Sequence, residues 1–222
     1  MRSFSEIEAL AARRKGGAGA LEGRLSFPAP RGEITDIAAD RWLSAMTRCV
    51  FQAGFNWRVV ERKWDRFEEV FEGFDVHRWS MMSDRNLDRL LKTEGIVAHA
   101  AKISSVGANA RFLVAVAREY GSVGGYFSGW ERERYCQNLR GLRKNGARLG
   151  GRTGQTFLRR MGVDTLVFSP DVLKALRREG VVAKMPASLK DFDAVQAAID
   201  AWGEESGRSL TRISQILAFS VD

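Results

Sequence analysis

Wherever apolar residues cluster in this chain they recur three and four positions apart, and strict alternation is nearly absent. That single pattern restricts the fold to packed helices. Trp42, Ala45, Met46, Cys49, Val50 and Ala53 form one such stripe and predict a helix over about 36–53. Leu87, Leu90 and Leu91 mark another that starts near Asp84, with Ser83 as its cap. Val106, Phe112, Leu113 and Val116 predict a longer helix over about 101–120. Further helices are expected over 5–14, 153–161 and 170–178, the last with Ser169 at the cap and Pro170 in first position. Val195, Ala198, Ile199 and Trp202, then Ile213, Ile216 and Leu217, give the final two. Residues 164–168 could form a strand, but the run is short and isolated. The fold class is all-α, built from many short helices.

With 45% hydrophobic residues, six Trp and thirteen Phe, the 222-residue chain can build a core, as one body or two small interleaved ones. The same content excludes disorder. No apolar stretch approaches 18 residues, so no membrane partner is expected. Acidic residues near Met1 stand where a signal peptide needs an apolar run, and a cytoplasmic location is expected. Cys49 and Cys136 cannot make a disulfide framework, and with only His77 and His99 beside them they form a poor zinc set. Breaks at 15–19 and 27–32 suggest an N-terminal helical extension over 1–35, followed by a body over 36–222.

Lys and Arg exceed Asp and Glu by 35 to 27, and the excess is concentrated. Between Arg134 and Val163 there is no acid, while eight basic residues match the entire net charge of +8. A solvated basic face would account for this. A polyanion site is favoured, because the window also holds Gly146, Gly150, Gly151 and Gly154 between a basic helix and another starting near Thr153. Glycines let a turn approach another backbone closely, and the following helix N-terminus offers unpaired amides to a phosphate. The spacing does not suit a nucleotide P-loop, which ends in Gly-Lys-Ser/Thr after a strand. A hairpin over about 138–162 that grips a DNA backbone fits better. Its candidate DNA-binding residues are Arg148, Gly150, Gly151, Arg152, Thr153 and Gly154, with Lys102 elsewhere; Lys102 and Arg111 could equally face solvent.

The run from Leu43 to Trp57, with Gln52-Ala53-Gly54-Phe55-Asn56-Trp57 at its end, resembles the pocket helix of the DNA-3-methyladenine glycosylase I family. Gly95-Ile96-Val97-Ala98-His99-Ala100-Ala101-Lys102-Ile103 and Asn109-Ala110 resemble two further blocks of that family. The glycine turn is similar to the hairpin of the wider helix–hairpin–helix glycosylase superfamily. The resemblance implies two helical lobes with a cleft between them, a monomer that takes double-stranded DNA containing a damaged base. It implies base-excision repair: an alkylated purine such as 3-methyladenine is flipped and its N-glycosidic bond hydrolysed, without a cofactor. Such an enzyme would be nucleoid-associated when bound.

A flipped alkylated purine is planar and cationic, so it calls for aromatic faces and polar groups. Trp57, Phe51 and Phe55 could supply the faces, Gln52 a donor and acceptor; the aromatic residues could also be ordinary core. The family's base-reading Glu is Cys49 here, which leaves open a glycosylase for a different lesion, or a non-catalytic lesion-binding protein. The family's zinc ligands are absent, so no metal is expected. The superfamily's catalytic Asp corresponds to the neighbourhood of Ser169, two residues from Asp171; Asp164 is the rival. The hairpin helix carries no Lys, so no Schiff base and no lyase step are expected.

Overall fold

The computed structural model describes all of residues 1–222: fifteen α-helices, two short 3-10 turns and no strand. No helix is long and apolar enough to cross a membrane. The chain divides into two compact units that alternate along the sequence.

The first unit comprises Met1–Ala29, Trp130–Arg140 and Gly162–Asp222. The opening segment is therefore not an extension. Its helix Phe4–Lys15 packs on helices Leu189–Ser206 and Leu210–Phe219, burying Phe4, Ile7 and Ala11. Polar contacts from across the sequence hold it there. Glu205 accepts the backbone N–H groups of Phe4 and Ser5 at 2.7 and 3.0 Å, and buried Glu179 accepts from the Arg2 amide and guanidinium.

Residues 164–168 are extended yet form no strand, because side chains of a neighbouring helix replace the missing partner. Thr165 N–H donates to Thr211 Oγ1 at 3.3 Å and Val167 N–H to Ser214 Oγ at 3.0 Å. The Tyr135 hydroxyl donates to the Leu166 carbonyl at 2.7 Å. Backbone groups in a buried segment must be paired, and here they are paired without a sheet.

Helix Leu189–Ser206 begins with a capping box in which Asp191 accepts the amides of Ser188 and Ala187. Those bonds hold the Asp191 carboxyl down at about 2. A carboxyl depressed in the folded state stabilises the protein above its unfolded value of about 3.9 and loses that contribution as pH falls. Melting temperature should accordingly drop between about pH 4 and 2, and Asp191→Asn should flatten that drop in a pH-resolved thermal melt.

The second unit comprises Pro30–Gly129 and Gly141–Met161. Helix Ala39–Gln52 lies against the long helix Ala100–Tyr120 and against helix Arg152–Arg160. Trp42 is enclosed, stacked on Phe127 at 4.5 Å and edge-on to Phe157 at 5.8 Å between centroids. Alongside, Trp64, Phe67, Phe71 and Phe74 form a stack of nearly parallel rings. This aromatic wall spans helix Trp64–Val70 and the 3-10 turn Glu72–Phe74, a stretch outside the helices expected above.

Candidate functional site

The second unit carries two surface features, both organised by helix Ala100–Tyr120. The first is a loop bearing exposed aromatic rings. Helix Ala39–Gln52 ends where Ala53 turns extended and Gly54 takes φ +69°. Chain direction is then reset by Asn56, whose Oδ1 accepts the Arg58 amide at 3.1 Å and starts helix Trp57–Arg62. Phe55 and Trp57 stand out from this corner, 47% and 57% exposed.

Lys102 holds the corner in place. The side chain is buried and its Nζ donates to the carbonyls of Phe51 and Ala53 at 3.0 and 2.9 Å, the open C-terminal end of the preceding helix. A cation there meets both the unpaired carbonyls and the helix dipole. Burial, with the charge of Arg148 adding to it, lowers the Lys102 pKa. The expectation that Lys102 contacts phosphate is therefore corrected: its ammonium is enclosed and already satisfied. His99, the residue that caps helix Ala100–Tyr120, accepts the Lys102 amide through Nδ1.

The expected pocket residues divide by burial. Phe55 and Trp57 present ring faces to solvent. Phe51 does not; it is fully buried and edge-on to Phe67 at 4.8 Å, so its place in a base pocket is corrected to the core. Cys49 is buried on the face of its helix that meets helix Arg152–Arg160, and burial pushes its thiol pKa up, against the opposing charge of Arg160. Gln52 is half-buried and engaged at both ends: its amide nitrogen donates to Glu61 and its oxygen accepts from Arg160. Glu61 in turn pairs with Arg48. Beside these groups lies a cavity of about 400 Å³ lined by Arg41, Ser44, Arg48, Glu61 and Arg160.

The second feature is the glycine turn between helices Tyr135–Asn145 and Arg152–Arg160. Gly151 has φ +58° and ψ −140°, a conformation open only to glycine, and no side chain caps the helix it starts. Arg148 is left-handed too, at φ +60°. Arg148, Gly150, Gly151 and Arg152 are exposed and Thr153 is half-buried. Gly154 faces inward: a Cβ there would stand 2.2 Å from the Leu149 carbonyl oxygen. Its expected DNA contact is thus corrected to a packing role beneath the turn.

Asn109 fastens this turn to the long helix. The buried side chain donates to the Ala147 carbonyl at 3.2 Å and accepts the Ala147 amide at 2.8 Å. The sequence alone assigns Asn109 no role, although a polar amide amid apolar helix positions is a signal for one.

The two candidate carboxylates belong to the first unit. Asp164 accepts the amides of Leu210 and Thr211 at 2.9 and 2.7 Å, bracketing the start of helix Leu210–Phe219. That engagement corrects its standing as a catalytic candidate to a helix-capping role. Asp164→Asn should lower stability by about 1 kcal/mol in denaturant melts, because an amide accepts through one oxygen only and leaves one of the two N–H groups unpaired. Asp171 is exposed on the first turn of helix Pro170–Arg178, whose Ser169 cap accepts the Val172 amide at 3.2 Å. No group of three His, Cys, Asp or Glu side chains is arranged to hold a metal ion.

The sequence profile of methyladenine glycosylases matches residues 39–147. The DNA-3-methyladenine glycosylase of Haemophilus influenzae is 29% identical over 65 residues, which are 29% of this chain and 35% of that protein. DNA-3-methyladenine glycosylase 1 of Escherichia coli is 33% identical over 60 residues, 27% of this chain and 32% of that protein. The chain thus spans about a third of the length of these curated relatives. A solved structure of 3-methyladenine DNA glycosylase I from Staphylococcus aureus aligns with TM-score 0.50 at 21% identity, over 57% of this chain and 77% of that one. The 8-oxoguanine glycosylase/lyase of Methanocaldococcus jannaschii, solved with DNA containing 8-oxoguanine, aligns with TM-score 0.50 at 14% identity, over 96% of each chain. At these identities the likeness is one of fold, that of the helix–hairpin–helix glycosylases. Residues 39–147, just under half of the chain, carry the aromatic corner, Lys102 and Asn109, reach into the glycine turn, and are the part that matches the methyladenine glycosylase profile.

Proposed function

We propose that the protein is a base-excision DNA N-glycosylase: it binds double-stranded DNA, accepts a flipped damaged purine against Trp57 and Phe55, and hydrolyses the N-glycosidic bond. The observation that carries this reading is the joint suspension of two surface features from one helix. Lys102 fixes a corner that exposes two aromatic faces, and Asn109 fixes a basic glycine turn. Base faces stack on aromatic rings, and helix N-termini with arginines suit phosphates. The names of the curated relatives make 3-methyladenine the first base to test.

In this reading the chain's own groups bind and orient more than they push protons. An alkylated purine is a good leaving group, so holding it in an extrahelical pose supplies much of the rate. Asp171 is assigned to steadying positive charge on the sugar and positioning water, because Asp164 is committed to two backbone amides. Helix Arg152–Arg160 contains no Lys and Lys102 is held by two carbonyls, which supports hydrolysis without strand cleavage. Methylated duplex DNA incubated with the protein should release free methylpurine, and the strand should break only after alkali. Absence of release above the spontaneous rate refutes the reading.

A further inference from the structure

The polar groups around Cys49 and the adjoining cavity differ sharply in what they leave unpaired. The two carboxylates bonded to these groups, Glu61 and Glu68, are both committed. Glu61 is held by Arg48 and by the Gln52 amide. Glu68 accepts from Arg41, Ser44 and the Trp64 indole. Cys49 adds no charge, because burial holds its thiol in the neutral form.

Arg160 is the opposite case. It is exposed at the end of helix Arg152–Arg160 and has no carboxylate partner. Nη1 donates to Gln52 Oε1 and lies 3.6 Å from Cys49 Sγ. A guanidinium carries five N–H donors in a rigid plane, so most of this one remains available beside the cavity. At about 400 Å³ that cavity falls within the range of small-ligand sites, roughly 300–1,000 Å³. The cavity lining sets Arg41, Arg48 and Arg160 against Glu61 alone, so it is rich in donors and net positive, and its one acid is paired.

Resting on the glycosylase reading, we infer that Arg160 determines specificity, and that this site prefers an uncharged purine presenting a carbonyl oxygen, as deamination or oxidation leaves, over a cationic alkylpurine. A keto oxygen on a neutral ring accepts from the free guanidinium N–H groups, whereas a positively charged ring meets the same guanidinium with charge repulsion. Repulsion between two unit positive charges several ångströms apart at a partly exposed site disfavours the cation by about tenfold or more. Trp57 and Phe55 lie outside the cavity lining and offer stacking to any base, so they do not discriminate.

Single-turnover release, expressed as the acceleration over each lesion's spontaneous loss, should be measured on duplexes carrying one hypoxanthine, one 8-oxoguanine or one 7-methylguanine. At least one of the two uncharged lesions should be accelerated about tenfold or more beyond cationic 7-methylguanine, which also carries a C6 carbonyl and so isolates the effect of charge. Arg160→Gln should slow that release about tenfold while sparing or raising the methylguanine rate. Cys49→Glu, if folded by circular dichroism, should shift the preference toward methylguanine. Quenching of tryptophan fluorescence by free hypoxanthine and by free 3-methyladenine reports the same selectivity without chemistry. Greater acceleration of methylguanine release by the unaltered protein, or equal losses on all duplexes in Arg160→Gln, overturns this inference and leaves the glycosylase reading standing. Release from none of the duplexes refutes both.

Discussion

A protein carrying Arg148→Glu and Arg152→Glu should bind duplex DNA at least 100-fold more weakly, whatever the sequence, while melting near the temperature of the unaltered chain. Both side chains are exposed on the glycine turn and form no ion pair, so reversing them costs the fold little. Each phosphate that the protein no longer neutralises should also lower the slope of log affinity against log salt by about 0.9, because fewer counterions are displaced on binding. A titration at several salt concentrations reads both quantities. Affinity and slope that stay unchanged would remove the turn from the DNA interface. Arg148 permits a sharper comparison, because its φ of +60° strains a side-chain-bearing residue by about 1–2 kcal/mol. Arg148→Gly should stabilise the fold and weaken binding together, a combination that only a functional side chain explains.

Asp171→Asn should slow base release roughly 100-fold with DNA binding and melting temperature nearly intact, the lower end of the range for a group acting in the transition state. The residue sits in the first turn of its helix, where an acid also complements the helix dipole by about 0.3–1 kcal/mol. Single-turnover kinetics beside thermal melts separate the two roles. Unimpaired release together with a lowered melting temperature would reduce Asp171 to a helix-end charge. Asp164→Asn is the internal control, expected to lose stability and retain the rate of chemistry.

The helices with clean apolar periodicity, 39–52, 100–120 and the final two, are legible in the sequence because one buried stripe sets each of them. The glycine turn is legible for a related reason: only glycine adopts the conformation at Gly151 or leaves room at Gly154. The roles of Lys102 and Asp164 are not legible, since their partners lie about fifty residues away in the chain. A lysine in a helical pattern looks solvated until the carbonyls it meets are known. The N-terminal helix reads as an extension for the same reason, as Glu179 and Glu205 tie it down from the far end. Residues 64–74 space their rings three and four apart as one helix would, yet Glu72, Gly73 and Phe74 all take positive φ, so the helix stops at Val70 while the ring stack continues.

Lys102 and Asn109 are seven residues apart on one helix, close to two full turns, so they project from nearly the same side about 10 Å apart. The helix therefore works as a ruler. It sets the spacing between the corner that offers aromatic faces and the turn that offers amides and arginines, and neither can shift along the surface independently. One residue inserted between them would swing Asn109 about 100° around the axis and detach the turn from its mark. Bases and phosphates on a nucleic acid strand are themselves spaced at fixed intervals, and a gauge with two rigid marks is how a protein surface measures such a strand.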